Sequence, residues 1–333
     1  MLEKFSKPSV AVIKNKKSFF DQNDRHLKYV RSVNDIYTRQ PHREKCKNCE
    51  GNLGQADFVS HNVPYAVGAT CNHLNGLHED TQEFANFLYM ADDGDNYKRN
   101  YLEAYDSRVA DIYQPKVQFL IDAIAPLYKR NASLTVFDVG CGGGHFIRAC
   151  ELAGINASGM EPNRALVDLA NLKVGAGKVL PCDLGEIEAI IRGCEADVVA
   201  LIGVLEHLQR PRAAIEAFRD SACPYLYLQV PLFSFSVFLE HANQEVFPRQ
   251  LNAGHTHLYT KESLAHLFNE FGLEPVAEWW FGTDFVDLFR HLLVRANPLN
   301  SDMYNTLLEK YCSEFIDDFQ HILDRDKKCS GVN

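Results

Sequence analysis

Residues 138–144, Asp138-Val139-Gly140-Cys141-Gly142-Gly143-Gly144, combine a carboxylate with four glycines. They follow the apolar run 134–137 and precede an amphipathic stretch that begins at His145. A strand, a glycine-rich turn and a helix in this order present backbone N–H groups to a ligand at the start of the helix. Because glycine has no Cβ atom, the backbone of such a turn can touch its ligand. The pattern therefore predicts a cofactor site at the end of the first strand.

Two classes of cofactor are bound by such a turn. Dinucleotide enzymes use the spacing G-x-G-x-x-G, in which the third glycine lets the helix pack close to the strand. Here the first two glycines of that spacing are Gly140 and Gly142, and the third position is His145. An NAD-dependent enzyme is therefore disfavoured.

The remaining spacing, Asp138-x-Gly140-x-Gly142-x-Gly144, resembles motif I of the class I S-adenosylmethionine-dependent methyltransferases. The resemblance covers roughly residues 97–295. It implies that Asp138 accepts a hydrogen bond from the ammonium group of the cofactor and that the glycines hold its methionine end. A binding module without catalytic activity is the alternative from another class.

Further cofactor contacts follow from the same resemblance. The second predicted strand ends at Glu161, where a carboxylate can accept hydrogen bonds from two ribose hydroxyls; a solvated loop residue is the alternative. The segment Pro181-Cys182-Asp183-Leu184 matches the adenine position of the family, which implies a hydrogen bond to Asp183 and packing against Leu184. The expected contacts are completed by Gly203 and Arg108.

The segment after the fourth predicted strand, 202–208, resembles the V-L-E-H segment of many small-molecule methyltransferases. Related quinone O-methyltransferases bind a divalent metal there, but their first carboxylate corresponds to Gly203, so no such metal is expected here. His207 is a candidate general base because its ordinary pKa lies near neutrality. Glu206 is a second catalytic candidate; the alternative is that both residues orient a loop.

The segment 254–264 resembles the H-x-x-x-[FY]-[ST]-x-x-S-L segment that follows the fifth strand in these enzymes. It adds His255 and His257 as candidate bases, and Tyr105 is a candidate wall or hydroxyl donor of the acceptor site. The loop before it, 231–254, is long enough to cover an acceptor. A contact between two copies of the chain is the alternative, which leaves a homo-oligomer open.

A cysteine pattern, Cys46-x-x-Cys49 followed by Cys71 and His73, has the spacing of a zinc ribbon in which one ligand has changed. In a complete second turn, position 68 would be cysteine, and here it is Gly68. The arrangement resembles the amino-terminal zinc-binding segment of sugar methyltransferases from deoxysugar and surface-polysaccharide pathways. We expect the three thiols and His73 to bind zinc; His61 and His78 are other candidates for the fourth ligand, and a metal-free module is the alternative.

Strands and helices that alternate beyond residue 131 predict a parallel sheet with helices on both faces. Within this region, a helix is predicted over 261–271, whereas the apolar segment 285–294 fits either a helix or a strand. We expect a Rossmann-like α/β fold with a seven-stranded, mostly parallel sheet, a small cysteine-containing module and a carboxy-terminal helix. The predicted segments are an amino-terminal arm (1–44), a zinc-ribbon-like module with a linker helix (45–95), the methyltransferase domain (96–297) and a helix with a tail (298–333).

The 333-residue chain carries a formal net charge of −10, which disfavours nucleic acid as a partner. Neither a membrane-spanning apolar run nor the apolar core of a signal peptide is present in the sequence. Ten cysteines without an export signal indicate reduced thiols and a cytoplasmic location.

The sequence thus predicts an enzyme that transfers a methyl group from S-adenosylmethionine to a hydroxyl of a small acceptor. The loose resemblance to the sugar-modifying branch favours a nucleotide-linked sugar or a surface-glycan precursor. A C-methyltransferase that acts on a keto-deoxysugar is the close alternative, and a quinone-like or other small acceptor is the next.

Overall fold

The computed structural model describes residues 1–9, 13, 15, 22–90, 101–102, 104–129, 133–252, 254–296 and 302–333. They form two compact units, of which the first comprises Met1–Leu2, Ala85–Val230 and Asn269–Ala277, and the second Glu3–Phe84, Pro231–Phe268 and Glu278–Asn333. Each unit combines stretches that are distant in the sequence, which the pattern along one chain does not reveal. The four consecutive segments stay a prediction, and their boundaries at 95/96 and 297/298 lie outside the described residues.

The described strands are β1 (Leu2–Phe5), β2 (Phe58–Ser60), β3 (Val63–Val67), β4 (Leu74–Gly76), β5 (Thr135–Val139), β6 (Asn156–Glu161), β7 (Val179–Pro181), β8 (Val198–Ile202), β9 (Tyr225–Pro231), β10 (His257–Leu258), β11 (Ala277–Phe281) and β12 (Gly331–Val332).

The described α-helices are α1 (Asn23–Tyr37), α2 (Gln82–Met90), α3 (Tyr105–Arg108), α4 (Gln114–Ile124), α5 (His145–Leu152), α6 (Arg164–Val174), α7 (Ile187–Arg192), α8 (Pro211–Arg219), α9 (Phe235–Ala242), α10 (Lys261–Phe271), α11 (Asp284–Ala296) and α12 (Asp302–Arg325). A π-helical turn, Val109–Tyr113, joins α3 to α4, and 3₁₀ turns span Leu184–Glu186 and Leu205–His207.

The large sheet has eight strands in the order β1-β11-β12-β9-β8-β5-β6-β7. Strands β9, β8, β5, β6 and β7 are parallel neighbours in the first unit. Their residues read as nearly continuous apolar runs because both faces of a parallel sheet are covered by helices; Val198–Leu201, for example, are fully buried. The mostly parallel α/β fold is confirmed, with one strand more than predicted.

The second unit contains a smaller sheet with the order β10-β4-β3-β2. In this sheet β10 pairs antiparallel with β4, so that His257 lies opposite Asn75 and Leu258 opposite Leu74. The cysteine module and the segment that begins at His255 are therefore parts of one structure, although about 180 residues separate them.

Three local expectations are changed by the structure. The predicted polar arm contains β1 and α1, and α1 buries Leu27, Val30, Val33 and Tyr37; these positions recur every three or four residues and form one apolar face. Segment 285–294, whose type the sequence left open, belongs to helix α11. The predicted loop 231–254 contains helix α9. Among the described helices, none is long and apolar enough to cross a membrane.

Candidate functional site

The glycine-rich turn follows β5 directly and leads into α5. Gly140, Gly142 and Gly144 have φ angles of 65°, 55° and 75°, a left-handed region that side-chain-bearing residues rarely adopt. Gly144 is the residue that precedes helix α5. A Cβ atom at Gly140 would lie 2.9 Å from Cγ2 of Val204. The turn therefore needs glycine both for its backbone conformation and for its close packing.

Aromatic side chains from the preceding segment pack on this turn. A Cβ atom at Gly142 would lie 2.5 Å from Cε1 of Tyr101, so the Tyr101 ring covers the backbone there. The hydroxyl of Tyr105 donates to the carbonyl oxygen of Gly143 at 3.1 Å. Tyr105 is buried. Its hydroxyl thus supports the glycine turn, and the role of Tyr105 at the acceptor stays a prediction.

Glu161 is buried at the end of β6 and binds the turn through its carboxylate. Oε2 accepts a hydrogen bond from the backbone N–H of Gly142 at 2.9 Å, and Oε1 accepts one from the N–H of Asn163 at 3.0 Å. Burial raises the pKa of Glu161, and these two N–H groups oppose that rise. Each carboxylate oxygen can accept a second hydrogen bond, so both can still receive ribose hydroxyls. The support that Glu161 gives to the glycine turn was not predicted from the sequence.

Asp138 is buried in β5, where it lies opposite Gly159 of β6. Burial raises the pKa of its carboxyl group to about 8; the Lys116 ammonium group opposes the rise and the Glu161 carboxylate adds to it. A buried carboxyl of this kind gains charge most readily when a cation binds beside it. The arrangement therefore suits a ligand that carries an ammonium group. Lys116, which is buried in α4, was not predicted from the sequence because no motif surrounds it.

The other predicted cofactor residues also lie in the first unit. Asp183 is exposed, and it caps the 3₁₀ turn Leu184–Glu186 by accepting from the N–H of Glu186. Leu184 is half-buried beside it. Gly203 has a φ of 67° at the end of β8. The guanidinium carbon of Arg108 lies 5.5 Å from the centre of the Tyr101 ring, and Arg108 directly precedes the π-helical turn.

Glu206 and His207 lie in the 3₁₀ turn that follows β8. Glu206 is buried, which raises the pKa of its carboxyl group to about 8. Its Oε2 atom has no hydrogen-bond partner among the described residues. His207 is half-buried, and its Nε2 atom lies 3.9 Å from Oε1 of Glu206. An imidazole backed by a buried carboxyl group is an arrangement that can take up a proton.

The histidines of the segment 254–264 lie in the second unit. His257 has no exposed surface, and its Nδ1 atom lies 2.7 Å from Nε2 of His73. The role of His257 as a base stays a prediction, and burial together with the contact to His73 makes His207 and His255 the more accessible candidates. His255 is half-buried, with Nδ1 3.2 Å from the carbonyl oxygen of Gln250.

Three cysteines come together in the second unit. The Sγ atoms of Cys46, Cys49 and Cys71 lie within 4.8 Å of one another, and Cys46 Sγ is 3.8 Å from Cys71 Sγ. The backbone N–H of Asn48 and the side-chain amide of Asn75 donate to Cys46 Sγ. Hydrogen bonds from the Cys71 thiol and these two donors lower the pKa of Cys46 and favour its thiolate, against the effect of burial.

His73 is not a member of this cluster, which corrects the predicted ligand set. Its Nδ1 atom lies 3.2 Å from Oγ of Ser263, and its Nε2 atom is engaged with His257. Both ring nitrogens are therefore already used. Burial lowers the pKa of His73 to about 3, so that the ring is neutral.

A family model described as a methyltransferase domain matches residues 105–278, slightly more than half of the chain. The matched region contains the glycine turn, Glu161 and the Glu206–His207 turn. The chain belongs to this methyltransferase family and is a class I S-adenosylmethionine-dependent methyltransferase.

Several solved structures resemble the chain at low identity. A SAM-dependent methyltransferase from Archaeoglobus fulgidus is 18% identical with a TM-score of 0.41, and the match covers 66% of this chain and 91% of that one. Magnesium protoporphyrin IX methyltransferase from Synechocystis PCC 6803 with bound SAH is 16% identical with a TM-score of 0.43, covering 58% and 89%. The plantazolicin methyltransferase BamL is 12% identical with a TM-score of 0.45, covering 74% and 91%. A search of the curated proteins gives no match.

Proposed function

We propose that the chain transfers a methyl group from S-adenosylmethionine to a hydroxyl of a small acceptor, a nucleotide-linked sugar or a surface-glycan precursor. S-adenosylmethionine as the methyl donor is supported by one observation. Asp138 and Glu161, at the ends of two strands beside the glycine turn, are a pair of buried carboxyl groups. The choice of a sugar acceptor is supported by the sequence resemblance at the cysteine module and the segment 254–264.

The cofactor supplies an electrophilic methyl carbon on a sulfonium, and the residues of the chain bind and orient it. Asp138 would receive the ammonium group, Glu161 the ribose hydroxyls, and Asp183 with Leu184 the adenine. Arg108 and Gly203 would line the site beside Tyr101. Because displacement at the methyl carbon is in line, such residues contribute mainly by alignment and exclusion of water.

His207 is the base that this geometry favours. As the acceptor oxygen bonds to the methyl carbon and the carbon–sulfur bond breaks, the hydroxyl proton would pass to the imidazole and then to solvent. The buried Glu206 beside it would orient the ring and, in its ionised form, stabilise the protonated imidazole. His255 is the alternative candidate for the base if His207 does not serve as one.

The acceptor is tested by incubating the protein with labelled S-adenosylmethionine and a set of nucleotide sugars, keto-deoxysugars and quinone-like phenols. Label in a nucleotide sugar at oxygen supports the proposal, whereas label at carbon or only in phenols contradicts it. His207→Asn should lower turnover at least roughly a hundredfold while the affinity for S-adenosylhomocysteine is retained. The matched control is His266→Asn on α10, which should turn over normally.

We also propose that Cys46, Cys49 and Cys71 bind zinc through their thiolates. A tetrahedral zinc site with Zn–S bonds of about 2.3 Å has sulfur–sulfur edges of about 3.8 Å. The observed Cys46–Cys71 separation of 3.8 Å supports this assignment. Metal analysis of protein purified without a histidine tag tests it; one zinc per chain is expected, and a content near zero contradicts the proposal.

A further inference from the structure

The two turns that carry the cysteines have the same backbone geometry. In the turn 46–51, the N–H of Glu50 donates to the carbonyl of Cys46, and the N–H of Cys46 donates to the carbonyl of Gly51, both at 2.9 Å. Glu50, the residue after Cys49, has a φ of 57°. This closed turn leaves the first and fourth side chains, Cys46 and Cys49, on one side.

The turn 68–73 repeats each of these features 22 residues later. The N–H of Asn72 donates to the carbonyl of Gly68, and the N–H of Gly68 donates to the carbonyl of His73, both at 2.8 Å. Asn72, the residue after Cys71, has a φ of 58°. Gly68 therefore occupies the backbone position that Cys46 occupies in the first turn, and Cys71 corresponds to Cys49.

A side chain at position 68 would adjoin the Cys46 thiol. A Cβ atom there would lie 3.2 Å from Sγ of Cys46, and Gly68 is buried. Because Gly68 corresponds to Cys46 in backbone position and adjoins the Cys46 thiol, it is the position from which a fourth ligand would reach the three sulfur atoms. Among the described residues, three potential metal ligands cluster here, namely the three cysteines. His73 instead contacts Ser263 and His257.

We propose that the metal ion in this site has an exchangeable fourth ligand at the corner left by Gly68, and that a small thiolate from solution replaces water there. This inference rests on the three-thiolate site proposed above. Structural zinc sites are closed by four protein ligands, whereas a site with three protein ligands keeps a position for an outside ligand. Soft thiolate ligands suit zinc, so a further thiolate is favoured over water. In the exchange, water leaves the metal and the incoming thiol releases its proton to solvent, without oxidation or reduction.

Cobalt(II) in place of zinc makes the fourth ligand visible in absorption spectra. In the wild-type protein, added 2-mercaptoethanol should raise the thiolate-to-cobalt charge-transfer absorption by about one third and shift the d–d bands, because three thiolates become four. Gly68→Cys should give the four-thiolate spectrum without added thiol and should not respond to it. Its zinc affinity should be at least roughly tenfold higher, since even groups that only orient metal ligands change affinity by about 10- to 100-fold.

Two further variants serve as controls. Gly68→Ala adds the Cβ atom without a thiol and should keep the three-thiolate spectrum, while His73→Asn should leave the spectrum unchanged. A wild-type spectrum that does not respond to thiol overturns the open corner, and a changed spectrum in His73→Asn shows instead that His73 is the fourth ligand. If neither the wild type nor Gly68→Cys binds cobalt, the metal site itself is overturned. Binding of S-adenosylhomocysteine by each variant checks that the protein is folded.

Discussion

Gly142 in the cofactor turn and Gly68 in the second cysteine turn are both glycines, but the lack of a side chain has opposite consequences at the two positions. Gly142 has a φ of 55°, and a Cβ atom would collide with Tyr101. The φ of Gly68 lies outside this left-handed region, and its Cβ atom would approach Cys46 Sγ. In the proposed cofactor site, the first turn would bind its ligand with backbone groups, so a side chain would block it. In the proposed zinc site, the second turn would bind with side chains, so the absence of one removes a ligand.

The pKa values of the acidic side chains are also shifted in opposite directions in the two sites. In the first unit, Asp138, Glu161 and Glu206 are buried carboxyl groups whose pKa values are raised by burial. In the second unit, hydrogen bonds lower the pKa of Cys46. The cofactor site is therefore poised to gain charge when a cation arrives, while the cysteine site already favours its anion. Substitutions in each site test this difference between the two.

The largest effect is expected at the cysteine site. Cys71→Ser should weaken zinc binding by roughly a thousandfold or more, because a thiolate ligand is lost from a site whose total binding free energy is on the order of 10 kcal/mol. Competition with a chromophoric chelator measures this affinity. The affinity for S-adenosylhomocysteine should change by less than about twofold, since the proposed cofactor contacts lie in the other unit. Cys182→Ser is the control thiol, and an equal loss of zinc there would contradict the assignment.

Asp138→Asn tests the buried carboxyl group of the cofactor site. Loss of a charge-assisted hydrogen bond should lower the affinity for S-adenosylhomocysteine by about a hundredfold in calorimetry. The folded pKa of Asp138 lies above its ordinary value, so the ligand-free protein loses stability as the pH rises from about 4 to about 8. The variant should therefore melt at a higher temperature than the wild type at pH 8. Asp168→Asn, an exposed change on α6, should alter neither quantity; a melting temperature lowered by Asp138→Asn would contradict the argument.

The pH dependence of cofactor affinity follows from the same group. Below a pKa of about 8, the Asp138 carboxyl group must lose a proton before it can receive the ammonium group. The affinity should thus fall by up to about tenfold for each pH unit below 8 and level off above it. Calorimetry between pH 6 and 8.5 measures this slope. Asp138→Asn should flatten the profile, and a slope that persists in the variant would assign the titration to another group.

Gly142→Ala and Gly154→Ala sharpen the comparison between required and tolerant glycines. Both positions have positive φ angles, 55° and 77°, so both substitutions carry a backbone cost of about 1–2 kcal/mol. Only at Gly142 does the new Cβ atom also displace an aromatic ring, because nothing lies within 4 Å at Gly154. Gly142→Ala should therefore weaken S-adenosylhomocysteine binding by at least roughly tenfold beyond any change in Gly154→Ala. Equal affinities in the two variants would remove the special role of Gly142.

The parallel core and its elements were predictable because their signals are local. The apolar run before Asp138, the glycines after it and the carboxylate at Glu161 lie in short stretches with a fixed order. The helix over 261–271 was predicted with the bounds that the structure has. Segment 285–294 was ambiguous because its apolar residues fit a helix or a strand, and only packing decides between these.

The features that could not be predicted from the sequence depend on contacts between residues that are distant along the chain. The spacing placed His73 with the thiols, but its neighbours Ser263 and His257 lie more than 180 residues away and take up its nitrogen atoms. Lys116 has no motif around it, and its effect on Asp138 exists only in the folded chain. Position 68 was recognised as the altered corner from spacing alone, whereas its equivalence to Cys46 required the hydrogen bonds of both turns.

The smallest expected effect concerns the hydrogen bond that the Tyr105 hydroxyl donates to Gly143. Tyr105→Phe removes this bond and leaves the ring in contact with the turn, so the loss should be about 1 kcal/mol, or roughly fivefold in affinity for S-adenosylhomocysteine. Turnover at saturating cofactor should stay within about twofold, because a group that supports the turn acts on binding rather than on proton transfer. A large fall in turnover with unchanged affinity would instead assign Tyr105 a catalytic role.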